Sequence, residues 1–165
     1  MVKKATPADL GQIVRIIEDA KITMREMGID QWQEGLPDTP LITADIKNGI
    51  GYVVRRGREV LGYAALVFDP DPVYDTLVGK FGAQGQPYAT IRRVATCKHA
   101  KKCGIASMLF TYFEKICKKH GTKWLRIYTH ADNVPMKNLC LKLGYQNVGV
   151  VDYKGAPRDT FEKKL

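Results

Sequence analysis

The sequence lacks a long apolar segment. Its longest uninterrupted candidate, residues 60–68 (VLGYAALVF), is about half of the roughly 20 residues that a membrane-spanning helix requires. The polar N-terminus is not followed by an apolar region either, so a signal peptide is not expected. These absences disfavour a membrane protein, and a cytoplasmic location is the default expectation.

The sequence also lacks metal and nucleotide motifs. None of the four cysteines forms a CxxC pair, and none has a histidine at zinc spacing, so we expect free thiols and no metal site. Gly104 is followed by Ile-Ala-Ser rather than Lys-Ser/Thr, which excludes a P-loop. The absence of GxGxxG after a strand disfavours a dinucleotide-binding fold.

The 165 residues include 45% hydrophobic residues, a composition that predicts one globular domain over residues 1–165. The net charge of +9 favours an anionic partner, which could be nucleic acid, a membrane surface or a phosphorylated cofactor. Because the lysines are spread over several elements and no RNP-like or helix-turn-helix signature is present, nucleic-acid binding is the weakest of these interpretations.

Hydrophobic periodicity predicts a helix pair, a hairpin, and then strand, helix, strand, helix and two strands. The predicted strands are 2–5, 51–55, 60–68, 88–96, 124–129, 145–153 and 158–165. The predicted helices are 7–27, 39–47, 105–120 and 134–143, with a helical turn within 74–81. This order indicates one mixed α/β domain.

The most informative segment is the strand–loop–helix junction at residues 94–107. A basic loop precedes Gly104, and small residues follow it at the start of a helix. The first amides of a helix have no intrahelical acceptors, and the helix dipole favours negative charge there. A diphosphate could therefore bind these amides, with Lys98, Lys101 and Lys102 beside it. The alternative is a solvated basic loop whose glycine serves packing.

At this junction the sequence resembles the GCN5-related N-acetyltransferases. Residues 101–106 (KKCGIA) are similar to the family motif Gln/Arg-x-x-Gly-x-Gly/Ala, with Lys101 in place of the usual first residue. A second match follows in order, with Asn133 and Met136 as in Asn-x-x-Ala/Met, and then Gly144-Tyr145. The resemblance extends over nearly the whole chain.

The resemblance implies an α/β (α+β) fold with a mixed, mostly antiparallel sheet of six to seven strands and about four flanking helices. It implies a splay between the fourth and fifth strands, residues 88–96 and 124–129. Acetyl-CoA is the implied cosubstrate, without a metal, and dimers are frequent in the family, so a homodimer is one expected assembly. The implied cofactor-binding residues are Val94, Ala95, Thr96, Lys101, Lys102, Cys103, Gly104, Ile105, Ala106, Ser107, Asn133 and Met136.

The implied catalytic donor is the backbone amide near Val94, which would stabilise the oxyanion of the thioester. Cys140 stands where many members have a general-acid tyrosine; the alternative is a small apolar residue on the inner face of its helix. His130 is a candidate base or, alternatively, a loop cap. Arg92, Trp32 and Tyr88 are candidate substrate-binding residues, although aromatic residues at such positions more often fill the core.

These observations predict an N-acetyltransferase that moves an acetyl group from acetyl-CoA to a primary amine of a small molecule or peptide, by direct attack in a ternary complex. The alternative is a non-catalytic module of the same fold that senses acyl-CoA, because the tyrosine is missing and Arg92 replaces a titratable histidine typical of one bacterial subgroup.

Overall fold

The computed structural model describes all residues from Met1 to Leu165. It contains eight strands: β1 (Val2–Lys4), β2 (Gly51–Arg56), β3 (Glu59–Val67), β4 (Val78–Gly79), β5 (Ala89–Thr96), β6 (Trp124–Thr129), β7 (Gln146–Tyr153) and β8 (Ala156–Lys164). The four α-helices are α1 (Leu10–Glu26), α2 (Thr39–Lys47), α3 (Ile105–His120) and α4 (Val134–Lys142). Short 3₁₀ turns occupy Pro7–Asp9, Pro72–Thr76 and Lys98–Ala100.

The chain divides into two compact units. The first comprises Met1–Leu66 and Arg92–Phe113, and the second comprises Val67–Ile91 and Glu114–Leu165. The strand order is β1-β2-β3-β5 in the first unit and β5-β6-β8-β7-β4 in the second, and β5 is common to both lists. All eight strands belong to one hydrogen-bonded sheet.

In the first unit, α1 is a helix because its apolar residues recur every three or four positions. Its buried side chains Ile13, Ile16 and Ile17 lie on one face. Strands β1, β2 and β3 pair antiparallel. The interior of β3, residues 60–66, is buried on both faces, which explains why its sequence is continuously apolar rather than alternating.

In the second unit, β5 and β6 pair in parallel, with Ala89 opposite Leu125 and Thr90 opposite Arg126. The predicted splay lies beyond these two pairs and stays a prediction. Strand β8 pairs antiparallel with β6 on one side and with β7 on the other. The prediction of a mixed, mostly antiparallel sheet with four helices is confirmed.

Strand β4 is the eighth strand, one more than the six to seven that we expected. Its two residues, Val78 and Gly79, pair with Val150 and Gly149 of β7. The predicted helical turn within 74–81 is instead the 3₁₀ turn Pro72–Thr76 followed by this strand. A two-residue strand is too short to produce a period in the sequence, which explains why the sequence pattern does not indicate it.

None of the helices combines the length and the hydrophobicity needed to cross a membrane.

Candidate functional site

Strand β5 contains a backbone irregularity immediately before the predicted site. Arg93 has φ +57°, in the left-handed region that non-glycine residues rarely adopt. Such a residue inside a strand interrupts the extended path of the backbone and changes the direction of the residues that follow. Those residues are Val94, Ala95 and Thr96, of which Ala95 is buried and the other two are half-buried. The predicted backbone-binding segment therefore begins directly after this left-handed residue.

The basic loop after β5 is a compact turn. The amide of Ala100 donates to the carbonyl of Cys97 at 3.1 Å, and the amide of Cys103 donates to the carbonyl of Ala100 at 3.2 Å. The amide of Lys101 donates to the carbonyl of Lys98 at 3.4 Å. Two of the predicted anion-binding amides, those of Lys101 and Cys103, are therefore already used inside the turn.

The first amides of α3, unlike those of the loop, do not donate hydrogen bonds within the protein. Gly104 has φ +75°, which glycine adopts without steric cost, and its carbonyl accepts the first helical hydrogen bond from Met108 at 2.9 Å. No side chain accepts a hydrogen bond from the amides of residues 104–107. This helix start is consequently uncapped, and nothing lies within 4 Å of where a Cβ of Gly104 would be.

The start of α3 is held closely against β3 by a second glycine. A Cβ on Gly62 would lie 2.5 Å from Cγ2 of Ile105 and 3.2 Å from the carbonyl oxygen of Ala95. Because Ile105 is buried and branched at Cβ, it could not move aside cheaply. Gly62 thus permits the close approach that sets the position of the first turn of α3.

Three lysines lie in the loop that precedes this helix start. Lys98 pairs with Asp19 of α1 at 3.8 Å, and Lys101 Nζ donates to Thr23 Oγ1 at 3.4 Å. Lys102 is exposed and has φ +63°. The local charge is therefore positive around amides that lack protein acceptors, which is the combination that binds an anion.

In the second unit, Asn133 caps the other predicted helix. Its Oδ1 accepts from the amide of Met136 at 3.3 Å, and its Nδ2 donates to Thr129 Oγ1 at 3.2 Å. Both ends of the side chain are therefore used in joining α4 to the end of β6. The structure gives Asn133 a local structural role, and its predicted contact with the cofactor stays a prediction.

The family model for the acetyltransferase (GNAT) family matches residues 15–145 of this chain. A GNAT-family acetyltransferase of Streptococcus agalactiae 2603 is 31% identical, with a TM-score of 0.90, and the match covers 100% of this chain and 95% of that chain. The chain belongs to the GNAT acetyltransferase family.

Two further GNAT-like structures share the fold at lower identity. The PaiA N-acetyltransferase of Thermoplasma acidophilum, in complex with coenzyme A, is 19% identical with a TM-score of 0.76, covering 100% of this chain and 98% of that one. The ribosomal-protein-alanine N-acetyltransferase of Brucella melitensis is 19% identical with a TM-score of 0.70, covering 100% and 99%. A comparison with curated protein sequences gave no match.

Membership of the GNAT family implies coenzyme A as the cofactor, so the start of α3 should be able to bind the diphosphate of coenzyme A. A diphosphate needs donors that the protein does not itself satisfy, and the amides of residues 104–107 meet this requirement. The adjacent lysines supply the positive charge. The residues therefore fit the group. No cluster of three or more histidine, cysteine, aspartate or glutamate side chains is arranged to hold a metal ion.

The general-acid position of this GNAT protein is poorly suited to acid catalysis. Cys140 is fully buried on α4, and burial raises the pKa of its thiol to about 12. A proton held this tightly is a poor match for a reaction near neutral pH. This geometry favours the interpretation of Cys140 as a small apolar residue of the core.

His130 lies at the end of β6, where it accepts a hydrogen bond. Its Nδ1 accepts from the amide of Asp132 at 3.0 Å, which closes the turn before α4. The loop-cap interpretation is thus observed, and a role as base stays a prediction.

The three predicted substrate-binding residues lie in different settings. Trp32 is half-buried in the segment after α1 and has φ +65°, and Arg92 is half-buried in β5. Tyr88 packs within the second unit, where its hydroxyl accepts from the amide of Asp71 at 2.8 Å and its ring lies 3.9 Å from the Arg126 guanidinium carbon. For Tyr88 the packing alternative is therefore supported by direct contacts.

Two buried ion pairs have no signal in the sequence. In the first unit, Arg93 forms two hydrogen bonds with Asp45, each of 2.7 Å. In the second unit, Arg126 pairs with Glu162 at 2.9 Å, and its guanidinium carbon lies 3.5 Å from the centre of the Phe81 ring. The partners in each pair are dozens of residues apart, so no local pattern indicates them.

Proposed function

We propose that this GNAT protein is an N-acetyltransferase that moves an acetyl group from acetyl-CoA to a primary amine by direct attack in a ternary complex. The observation that carries the proposal is the uncapped start of α3 behind a lysine-rich loop. The coenzyme A complex of the Thermoplasma relative supports it. When bound, acetyl-CoA supplies the acetyl group as a thioester.

The first unit supplies the binding and positioning groups in this proposal. The amides of Gly104, Ile105, Ala106 and Ser107 donate hydrogen bonds to the diphosphate, while Lys101, Lys102 and the loop residue Cys103 surround it. The backbone of Val94, Ala95 and Thr96 pairs with the pantetheine amides in the manner of an added strand. The amide of Val94 donates to the oxygen on which negative charge develops, and preorganised donors of this kind supply a large part of catalysis.

The second unit supplies Asn133 and Met136, which we propose to contact the pantetheine. Proton transfer needs little from side chains here, because Cys140 is buried and His130 already accepts a loop hydrogen bond. Water takes the proton of the amine and returns one to the departing thiolate. Positioning and oxyanion stabilisation then account for most of the rate.

We propose that Trp32, Tyr88 and Arg92 contact the acceptor amine. The relative named as a ribosomal-protein-alanine N-acetyltransferase supports a peptide amine as one acceptor class. We further propose that the whole chain, residues 1–165, works as one acetyltransferase domain in the cytoplasm, as a monomer or a homodimer. The full-length match to the Streptococcus structure supports the single domain.

Two measurements test the proposal. Isothermal titration with acetyl-CoA should give saturable binding, and a panel of small-molecule and peptide amines should then release free thiol only when amine and enzyme are both present. Binding without thiol release on any amine would favour the alternative, a non-catalytic acyl-CoA sensor. Absence of binding would refute both.

A further inference from the structure

The Asp45–Arg93 pair lies directly beside the residue whose amide is the proposed oxyanion donor. Arg93 Nε donates to Asp45 Oδ2 and Arg93 Nη2 donates to Asp45 Oδ1, both at 2.7 Å. This side-on arrangement fixes the plane and direction of the guanidinium as well as its charge. The two side chains are 11% and 3% exposed, so water competes little for them.

The carboxylate is itself held rigidly. Tyr63 of β3 donates its hydroxyl hydrogen to Asp45 Oδ2 at 2.6 Å, and Tyr63 is fully buried. Asp45 projects from α2, so a helix and two strands of the first unit converge on one carboxyl group. The position of Arg93 is therefore determined by the core of this unit.

The contacts of the Arg93 side chain stabilise an unusual backbone conformation at the same residue. Its φ of +57° is unfavourable for any residue with a side chain, and arginine has no intrinsic preference for it. A conformation of this kind persists only where surrounding contacts enforce it. Because Arg93 immediately precedes Val94, its φ and ψ determine where the amide of Val94 points.

We propose that Asp45, Arg93 and Tyr63 are positioning residues that hold the left-handed backbone of Arg93, and with it the amide of Val94, in the orientation that catalysis requires. This inference rests on the proposed function, since it assigns the purpose of the left-handed conformation of Arg93 to the acetyl-transfer step. Arg93 touches neither substrate nor coenzyme in this role and acts through its own backbone.

The test compares glycine with alanine at position 93. Both substitutions are made in an Asp45→Asn background, so that no unpaired buried carboxylate remains. Glycine adopts φ +57° freely and alanine does not. We expect the alanine variant to have a kcat at least about tenfold below that of the glycine variant, with KM for acetyl-CoA equal within about threefold, because losing an oxyanion donor entirely costs roughly 10²–10³ in kcat.

The matched control is Arg56→Lys, which alters an exposed ion pair with Glu59 in the same unit and should leave kcat unchanged. A second readout is the change in the ¹H–¹⁵N resonance of the Val94 amide when acetyl-CoA is added. We expect this change to differ in size between the wild type and the single variant Arg93→Lys. This readout needs only the conservative variant, which retains the charge at position 93.

The outcomes separate the two claims. A wild-type protein that neither binds acetyl-CoA nor acetylates an amine removes the proposed function, and the inference with it. If the wild type is active, two outcomes refute the inference alone. One is an equal kcat in the glycine and alanine variants, and the other is an equal change of the Val94 resonance in the wild type and in Arg93→Lys.

Discussion

Two helices of this protein follow a strand and a short loop, and they begin in opposite ways. At α4, Asn133 accepts a hydrogen bond from the amide of Met136 and completes the first turn with its own side chain. At α3, Gly104 has no side chain, and the first amides have no protein acceptor. Helix starts normally acquire a cap, so the absence of one after a lysine-rich loop supports the proposal that this helix start binds an anion.

The comparison also separates the two predicted cofactor-binding motifs. The glycine motif leaves donors available, whereas the asparagine motif uses its donors and acceptors to join α4 to β6. Changes at Gly104 should therefore appear in coenzyme affinity, and changes at Asn133 should appear first in stability.

Giving α3 a carboxylate cap should have the largest effect. In Gly104→Asp, the new side chain would compete for the free amides and repel a diphosphate, and φ +75° would be strained for aspartate. We expect acetyl-CoA affinity to fall at least about 100-fold, measured by isothermal titration, because several charge-assisted hydrogen bonds of roughly 1.5–3 kcal/mol each are affected.

The matched control is Gly121→Asp, at the other end of the same helix. Gly121 has φ +81° and nothing within 4 Å of its Cβ position, so the backbone strain is comparable. Its variant should lose stability but bind acetyl-CoA like the wild type. An equal loss of affinity in the two variants would show that backbone strain, and not competition for the amides of α3, reduces acetyl-CoA binding.

Removing the cap of α4 should have an intermediate effect. Asn133→Ala leaves the amide of Met136 without its acceptor, and such losses typically cost about 1 kcal/mol of stability. For a chain of this size, that corresponds to a fall in Tm of roughly 2–4 °C. Asn133→Asp keeps the accepting oxygen and should recover most of the loss. A wild-type Tm in Asn133→Ala, accompanied by weaker acetyl-CoA binding, would instead indicate direct contact with the coenzyme.

Replacing the buried thiol of α4 should have the smallest effect. Cys140→Ala should keep kcat within about threefold, since burial raises the pKa of the Cys140 thiol to about 12 and removes it from acid catalysis near neutrality. In the native wild type at pH 8, iodoacetamide should label the exposed Cys103, while the thiolate fraction of Cys140 is only about one in ten thousand. A hundredfold loss of kcat would restore Cys140 as the general acid.

The same raised pKa predicts a direction for the dependence of stability on pH. The folded state holds the Cys140 proton more tightly than the unfolded state, in which the thiol has its ordinary pKa of 9.0. The resulting contribution to stability is complete below about pH 9 and is lost as the pH rises toward 12. The alkaline slope of unfolding free energy should therefore be shallower in Cys140→Ala.

Elements with a strong local signal could be predicted from the sequence. Strand β6 has the predicted bounds, and α3 starts directly after Gly104 because glycine and the apolar spacing mark the same point. Strand β4 could not be predicted, because its two residues form a strand only through their pairing with β7. Local propensity carries no information about such a partner.

The candidate site divides in the same way. The loop motif is contiguous, so the sequence alone predicts an anion-binding segment at residues 101–107, which stays a prediction. The contact of Arg93 with Asp45 joins residues 48 positions apart, and a carboxylate in α2 looks like any surface charge until the fold brings it to β5. The packing of Tyr88 on Arg126 also lies outside any local pattern, and its proposed contact with the substrate stays a prediction.

Gly62 has a consequence for how this protein can diversify. Most buried positions of β3 can exchange one apolar residue for another of similar volume, with small adjustments around them. Position 62 has no such freedom while Ile105 is present, since a single added methyl group would collide with its Cγ2. In related sequences, the two positions should therefore change together, with a larger residue at 62 accompanied by a smaller one at 105.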